Sequence, residues 1–103
     1  MNNVTNPNAY QKLEKEMSGL ASLYFKALDL TKEKNSLSHI RLISTIRGAY
    51  ESLNSEERRV INNEFFYQKY RSWWKDSYTL NYFKKLKKQS MAHFLEVFYD
   101  TVI

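Results

Sequence analysis

The sequence of 103 residues predicts an all-α fold, a compact bundle of four or five helices. Two glycines and one proline are too few for a protein built from many strands and tight turns. Apolar residues recur at alternating spacings of three and four, which is the period of one face of an α-helix. With 43% apolar residues the chain can bury one core, and its length suits one small domain.

The chain opens with a polar stretch rich in asparagine, and we expect a disordered leader over residues 1–8. A single all-helical domain then follows over 9–103. The first helix is predicted from about Ala9 to Lys32. Its apolar stripe consists of Leu13, Met17, Leu20, Tyr24 and Leu28. Gly19 lies inside this helix and costs about 1 kcal/mol relative to alanine.

A polar break at 31–35 precedes the second helix, which Ser36 or Ser38 can cap. The apolar stripe of this helix consists of Leu37, Ile40, Ile43, Ile46, Tyr50 and Leu53, widened by Leu42 and Ala49. Gly48 lies within the stripe, where we expect another helix to cross closely. The helix pair over 9–53 either forms a homodimer through its first stripe or packs into the core of its own chain, and we prefer the second arrangement.

The third helix is predicted to begin at Asn54, because Glu57 three residues later completes a capping-box pattern. Glu56 and Glu57 fall in the first turn, where the helix dipole favours negative charge. We therefore interpret these carboxylates as helix-start residues rather than as an acid–base pair. The residues that this helix would bury are Val60, Ile61, Phe65 or Phe66, with Tyr70 as a further candidate.

The last helix is predicted from about Thr79 to Tyr99, after the periodic pattern falters at residues 73–77. Asp76, Ser77 and Thr79 are all candidate caps for its first turn. Its buried stripe consists of Leu80, Phe83, Leu86 or Lys87, Met91, Phe94, Leu95 and Phe98. Its opposite face carries Asn81, Lys84, Lys85, Lys88 and Gln89.

The net charge of +5 is confined to one part of the chain. Residues 69–88 hold seven basic side chains against Asp76 alone, a net of +6, whereas the rest of the chain has a net of −1. Nine of the sixteen aromatic residues lie within 65–83. Localised basic charge interleaved with aromatic residues is one footprint of nucleic-acid binding. The alternative is a solvated lysine face on a helix whose other side packs into the core.

No catalytic or cofactor motif is evident, so we expect a non-enzymatic protein without cofactors. The lack of cysteine excludes disulfides and thiolate metal sites and suits a cytoplasmic protein. His93 and Glu96 alone are too few ligands for zinc, and we expect them to pair with each other. The sequence contains no stretch of 18 apolar residues, so it does not predict a membrane span. A membrane-surface helix over 79–99 is disfavoured because its apolar stripe is needed for the core.

Two segments carry a resemblance to a known family. The run Leu53-Asn-Ser-Glu-Glu-Arg-Arg-Val-Ile61 resembles the start of region 4 of sigma factors, L-[ST]-x-x-E-R-x-V-I. The run Tyr78-Thr-Leu-Asn-Tyr-Phe-Lys-Lys-Leu-Lys-Lys-Gln-Ser-Met-Ala-His-Phe-Leu95 is similar to the end of phage activators of the ArpU and RinA type. The resemblance covers 53–98 and implies a helix-turn-helix-like unit in a DNA-binding half, 54–103. Those families usually have a small or glycine-containing turn between the two helices of the motif, whereas this chain has no glycine between Trp73 and Tyr78.

The resemblance also implies a set of contact residues. The candidate DNA-binding residues are Thr79, Asn81, Tyr82, Lys84, Lys85, Lys88, Lys75 and Arg71. The first three begin the recognition helix and face base edges, and the lysines further along the helix face phosphates or bases. Arg58 and Arg59 would flank the DNA backbone or contact polymerase. Trp73 and Trp74 would brace the motif from inside, with at least one of them in the core.

Charge and resemblance together predict a nucleic-acid-binding protein, specifically a sigma-region-4-like transcription regulator that contacts double-stranded DNA through the basic helix 79–99. RNA polymerase is its further expected partner, and a monomer or a homodimer is compatible with the sequence. The alternative is a protein-interaction adaptor, associated with RNA polymerase or the ribosome, that does not itself bind DNA.

Overall fold

The computed structural model describes residues 7–33 and 36–102 and confirms the all-α bundle. Four α-helices and one π-helical segment account for its regular structure, and the described ranges contain no strand. The helices are α1 (Pro7–Glu33), α2 (Leu37–Glu51), α3 (Ser55–Ile61) and α4 (Leu80–Val102), and the π-helical segment is Asn62–Phe66. α1 begins at Pro7, two residues before the predicted helix start at Ala9 and inside the predicted leader, since proline suits the first position of a helix. Residues 1–6 lie outside the described residues.

α1, α2 and α4 pack against one another around the main core, and α3 packs on α4. Met17 of α1, Ile46 of α2 and Phe94 of α4 are among the most deeply buried side chains. The predicted stripe of α1 faces this core, with its two outer leucines, Leu13 and Leu28, half-buried against it. The N-terminal helix pair therefore packs into its own chain, as preferred. None of the helices within 7–33 and 36–102 has the length and apolar character needed to cross a bilayer.

Several residues predicted to be buried are exposed instead. Leu37 and Ile40 lie in the first turn of α2 and are exposed. Leu37 borders the last turn of α4, so α4 ends before it can cover Leu37. Tyr70 is exposed because the chain has already left the helix at Tyr67. Leu80 is 51% exposed because it lies at the tip of α4, one turn before the helix enters the core.

Gly48 does not mark a close helix crossing, so that prediction is wrong. A Cβ built at Gly48 would meet no heavy atom within 4 Å beyond its own helix and chain neighbours. The residue is exposed, and the buried edge of α2 runs instead through Ile46 and Ala49. The close approach that glycine would permit is therefore not used at this position.

The predicted starts of α3 and α4 are confirmed by their caps. The Glu57 backbone N–H donates to Asn54 Oδ1 at 2.8 Å, and the Asn54 backbone N–H donates to Glu57 Oε1 at 3.1 Å, which completes the capping box. At α4, Thr79 is the residue that acts as the cap among the three candidates. The Tyr82 backbone N–H donates to Thr79 Oγ1 at 3.2 Å.

The connection between the π-helical segment and α4 spans residues 67–79 and runs through consecutive turns. It is longer than the three- or four-residue turn of a helix-turn-helix. The chain lacks a glycine here, and aromatic side chains occupy the space beside α4 instead. Trp73, Trp74 and Tyr78 form a second small core with Val60, Phe83 and Leu86. The C-terminal half thus holds a helix pair joined by a packed aromatic connection.

Candidate nucleic-acid interface

The exposed side of α4 forms a narrow basic surface, the lysine face, made of Asn81, Lys84, Lys85 and Lys88. These residues are separated by three, four and seven positions, so their side chains lie along one side of the helix. All four are exposed, whereas Phe83, Leu86 and Ser90 on the opposite side are buried. From first to last the face extends about 10 Å along the helix axis.

The first turn of α4 projects away from the core. Thr79 is exposed, but its hydroxyl oxygen already accepts the capping hydrogen bond from the Tyr82 N–H. Leu80 and Tyr82 are both about half exposed, and the Tyr82 ring lies 5.3 Å from the ring of Tyr78. This end of the helix is therefore accessible to a partner. Thr79 was a candidate both for the helix cap and for base contact, and the structure shows it acting as the cap.

The position of this helix end is determined by the second core. The ring of Phe83 stacks on Trp74 with centroids 4.5 Å apart and meets the edge of Trp73 at 5.8 Å. Trp73 Nε1 donates to Glu64 Oε2 at 2.7 Å, which ties the connection back to the π-helical segment. Trp73 is buried and Trp74 is half-buried, as expected for residues that brace the motif.

Two of the predicted contact residues lie earlier in the chain than the start of α4. Lys75 and Arg71 are both exposed but belong to the connection 67–79. Arg71 lines an open depression with Lys69, Glu64 and the buried end of Lys87, to the side of α4. Lys75 directly follows the half-buried Trp74 and is closer in sequence to the start of α4 than Arg71 is. The structure thus places four predicted residues on the lysine face, two at the helix start and two in the connection.

Arg58 and Arg59 are predicted to flank the DNA backbone or contact polymerase, and of the two only Arg59 is exposed. Arg58 is half-buried. The Arg59 guanidinium lies over the Trp73 ring, 5.1 Å from its centroid, which is within cation–π distance. A guanidinium in that position supports the aromatic connection.

Lys87 belongs to the basic window but not to the basic surface. Its side chain is 10% exposed, and Nζ contacts Glu14 Oε2 at 2.7 Å and Glu64 Oε1 at 2.9 Å. Burial lowers the pKa of Lys87, but the hydrogen bonds it donates to both carboxylates outweigh burial and leave its pKa raised. The exposed charge of residues 69–88 is therefore six basic side chains against Asp76.

His93 pairs with Glu57, so the predicted pairing with Glu96 is wrong. Its Nδ1 lies 3.0 Å from Glu57 Oε1, because α3 packs its first turn against this side of α4. Gln89 Nε2 also donates to Glu57, at 3.0 Å. Burial raises the pKa of Glu57, but hydrogen bonds from Gln89, the Asn54 backbone and His93 outweigh burial and lower its pKa overall.

Glu56 and Glu57, the two acidic residues in the first turn of α3, both have structural partners. Glu57 serves the capping box and the contact with α4, and Glu56 accepts a hydrogen bond from the Tyr78 hydroxyl at 3.1 Å. Within the part of the chain that the structure describes, no group of three or more His, Asp or Glu side chains is arranged to hold a metal ion. The helix-start interpretation of Glu57 is confirmed.

Sequence reasoning missed the ion pairs of Lys87, since periodicity indicates burial but not the partner. Leu80 was also missed as a surface residue, although its place in the first turn of a helix between the polar residues Thr79 and Asn81 is a signal of exposure. No protein-family model, curated protein or solved structure matches the chain.

Proposed function

We propose that the protein binds double-stranded DNA through the lysine face, with the start of α4 in the major groove. The observation that carries this proposal is the exposure of Asn81, Lys84, Lys85 and Lys88 together on one side of a helix whose other side is buried. The major groove admits an α-helix, and a helix anchored along its length by a core can be inserted without unfolding.

The chemistry of the face suits this mode of binding. Lys84, Lys85 and Lys88 provide ammonium groups for phosphates, which position the helix without reading sequence. Asn81 lies at the exposed start of α4, and an asparagine amide can bind adenine through two hydrogen bonds. The resemblance to sigma region 4 supports a role in transcription regulation, with RNA polymerase as a second partner.

The salt dependence of binding follows from the number of lysines. Three neutralised phosphates imply a slope of log K against log salt of about −2.7. Contacts from Lys75 and Arg71 would bring the slope to about −4.5. A slope near zero between about 50 and about 200 mM salt would contradict phosphate contact.

The decisive experiment compares two charge-reversal variants. Lys84, Lys85 and Lys88 are changed together to Glu, and the control changes Lys12, Lys15 and Lys26, which are exposed on α1. Both variants alter the net charge equally. Gel-shift titration of a duplex pool is expected to show a loss of about a hundredfold or more for the α4 variant and a much smaller loss for the control. Equal losses, or no loss for the α4 variant, would refute the proposal.

The adaptor function is favoured by a different observation. Leu80 and Tyr82 expose apolar surface beside the lysine face, and exposed apolar groups next to charge are typical of protein interfaces. The adaptor predicts that polymerase or ribosomes co-purify with the tagged protein from its own cells after nuclease treatment. It also predicts that Leu80→Ser with Tyr82→Ser abolishes this recovery, while the lysine variant binds duplex no differently from the unmodified chain.

A further inference from the structure

On the side of the bundle formed by α1, α2 and the π-helical segment lies a small open cavity, the aromatic cleft. Its volume is about 290 Å³, close to the lower end of the range for small-molecule pockets. Beside Ile46, its lining side chains are Tyr24, Arg47, Tyr50, Asn62, Phe66 and Tyr67. Four of these six carry aromatic rings and one carries a positive charge.

The aromatic walls are held by ring contacts to the rest of the bundle. Phe66 meets Tyr24 edge to face, with centroids 5.5 Å apart and an angle of 89° between the rings. Phe66 also contacts the fully buried Phe94 at 6.2 Å, and Tyr67 meets Phe25 edge to face at 5.6 Å. Walls supported in this way suit a flat apolar ring, because ring pairs favour edge-to-face and offset contacts.

Arg47 supplies the polar end of the cleft. Its Nε donates to the Tyr24 hydroxyl at 3.1 Å, and the guanidinium lies 5.9 Å from the centroid of the Tyr24 ring. Among the side chains that the structure describes, no carboxylate forms an ion pair with Arg47. The terminal nitrogens of an arginine held through Nε form a planar fork that matches the two oxygens of a carboxylate.

We propose that the aromatic cleft binds a small planar aromatic carboxylate. The ring lies against Tyr24, Tyr50 and Phe66, and the carboxylate accepts hydrogen bonds from Arg47. The charge of Arg47 disfavours a cationic ligand in the same position, and the ring walls disfavour a purely polar anion such as phosphate.

The local backbone agrees with a binding role. Asn62 and Phe66, the two ends of the π-helical segment, both line the cleft. π-helical turns are rare and are found frequently at functional sites, and this one continues the end of α3. Asn62 is half-buried and lines the same cleft as Arg47, and its side-chain amide donates to Asn63 Oδ1 at 3.5 Å.

The cleft is separate from the lysine face. Phe66 reaches α4 through Phe94, which is fully buried, whereas Lys84, Lys85 and Lys88 lie on the exposed side of the same helix. Ligand binding in the cleft therefore does not depend on the proposed DNA contact, and either proposal can fail without the other.

The test is a titration of the isotope-labelled full chain with ligand, in which binding is monitored through the NMR chemical shifts of the backbone amides. The probes are 2-naphthoate and its neutral analogue 2-naphthamide. We expect 2-naphthoate to give saturable shifts at the residues of the aromatic cleft, with a Kd on the order of 0.1–1 mM for a ligand of this size. The amide is expected to bind at least about fivefold more weakly, because it cannot form the charge-assisted pair.

Three variants make the test specific. Arg47→Gln is expected to reduce naphthoate affinity to that of the amide, and Arg41→Gln, an exposed arginine earlier in α2, is the matched control and should have no effect. Tyr67→Ala removes a wall residue that is 62% exposed, so it should weaken binding several-fold without unfolding the chain.

Three results would each overturn the proposal. The first is the absence of saturable shifts up to millimolar naphthoate. The second is equal affinity for naphthoate and naphthamide, or equal effects of Arg47→Gln and Arg41→Gln. The third is a shift pattern centred on the lysine face that disappears in the α4 charge-reversal variant, since this would mean that the anion binds to surface lysines.

Discussion

Replacing Lys87 by methionine tests whether the buried ion pairs hold α4 to the rest of the bundle. Lys87 Nζ bridges Glu14 of α1 and Glu64 of the π-helical segment, and the same ammonium group lies 5.7 Å from the ring centroid of Tyr10 and 5.5 Å from that of Phe65. Methionine keeps most of the stem and removes the charge. Two carboxylates then face each other without a cation, so the perturbation is mainly electrostatic.

The expected cost can be worked out from the exposure of the two partners. Removing one member of a buried ion pair costs about 3–5 kcal/mol, because the remaining charge is left desolvated. Here the Glu14 side chain is 38% exposed and can turn to water, whereas the Glu64 side chain is only 17% exposed. Glu64 also keeps its hydrogen bond from Trp73. We therefore expect a loss of about 2–3 kcal/mol, below the full value.

The assay is urea unfolding at pH 7, monitored through tryptophan fluorescence and circular dichroism. The raised pKa of Lys87 means that its stabilisation is fully present below its usual value of 10.5 and is lost as pH rises through the folded pKa. At pH 7 the whole effect is therefore measured. A loss of this size lowers the urea midpoint by roughly 1–2 M for a small domain.

A double-mutant cycle with Glu64→Gln separates the ion pair from the loss of packing. We expect a coupling energy of about 1–2 kcal/mol between Lys87 and Glu64. A coupling below about 0.5 kcal/mol is the value for an exposed pair and would refute the reasoning. A Lys87→Met variant as stable as the unmodified chain would refute it as well.

Two further predictions concern helix stability. Gly48→Ala should stabilise the protein by about 0.5–1 kcal/mol, because the added Cβ meets no neighbour and alanine is the better helix former; a lower melting temperature in calorimetry would contradict this. Glu57→Gln should flatten the loss of stability that occurs in urea titrations as pH falls below the usual carboxyl pKa of 4.5. The lowered pKa of Glu57 makes its stabilisation present above its usual value of 4.5 and lost as pH falls through the folded pKa; an unchanged pH slope would count against this.

Local patterns in the sequence predicted much of the fold. The stripe through Met17 and Tyr24 predicted which side of α1 is buried, since a helix must cover its apolar side. The Asn54–Glu57 spacing predicted the start of α3, because a capping box involves only residues three positions apart. The same reasoning predicted that Asn81, Lys84, Lys85 and Lys88 lie on one exposed side of α4.

Local patterns could not predict contacts between residues that are far apart in the sequence. His93 has an acidic residue three positions later, yet it binds Glu57, which lies 36 positions away. The aromatic cleft is also a long-range feature, since Tyr24, Arg47 and Phe66 come from three different segments. Neither arrangement has a signature in spacing, because each depends on how the helices pack.

The sequence by itself determined the helices, their buried sides and a basic window of net charge +6 over residues 69–88. Only the tertiary structure decided which of those charges reach the surface. Lys87 lies in the same helix as Lys84, Lys85 and Lys88, but Glu14, 73 positions away, binds it inside the bundle. The physical reason is that periodicity specifies the side of a helix, whereas the charge available to a partner depends on which distant carboxylates pack against that side.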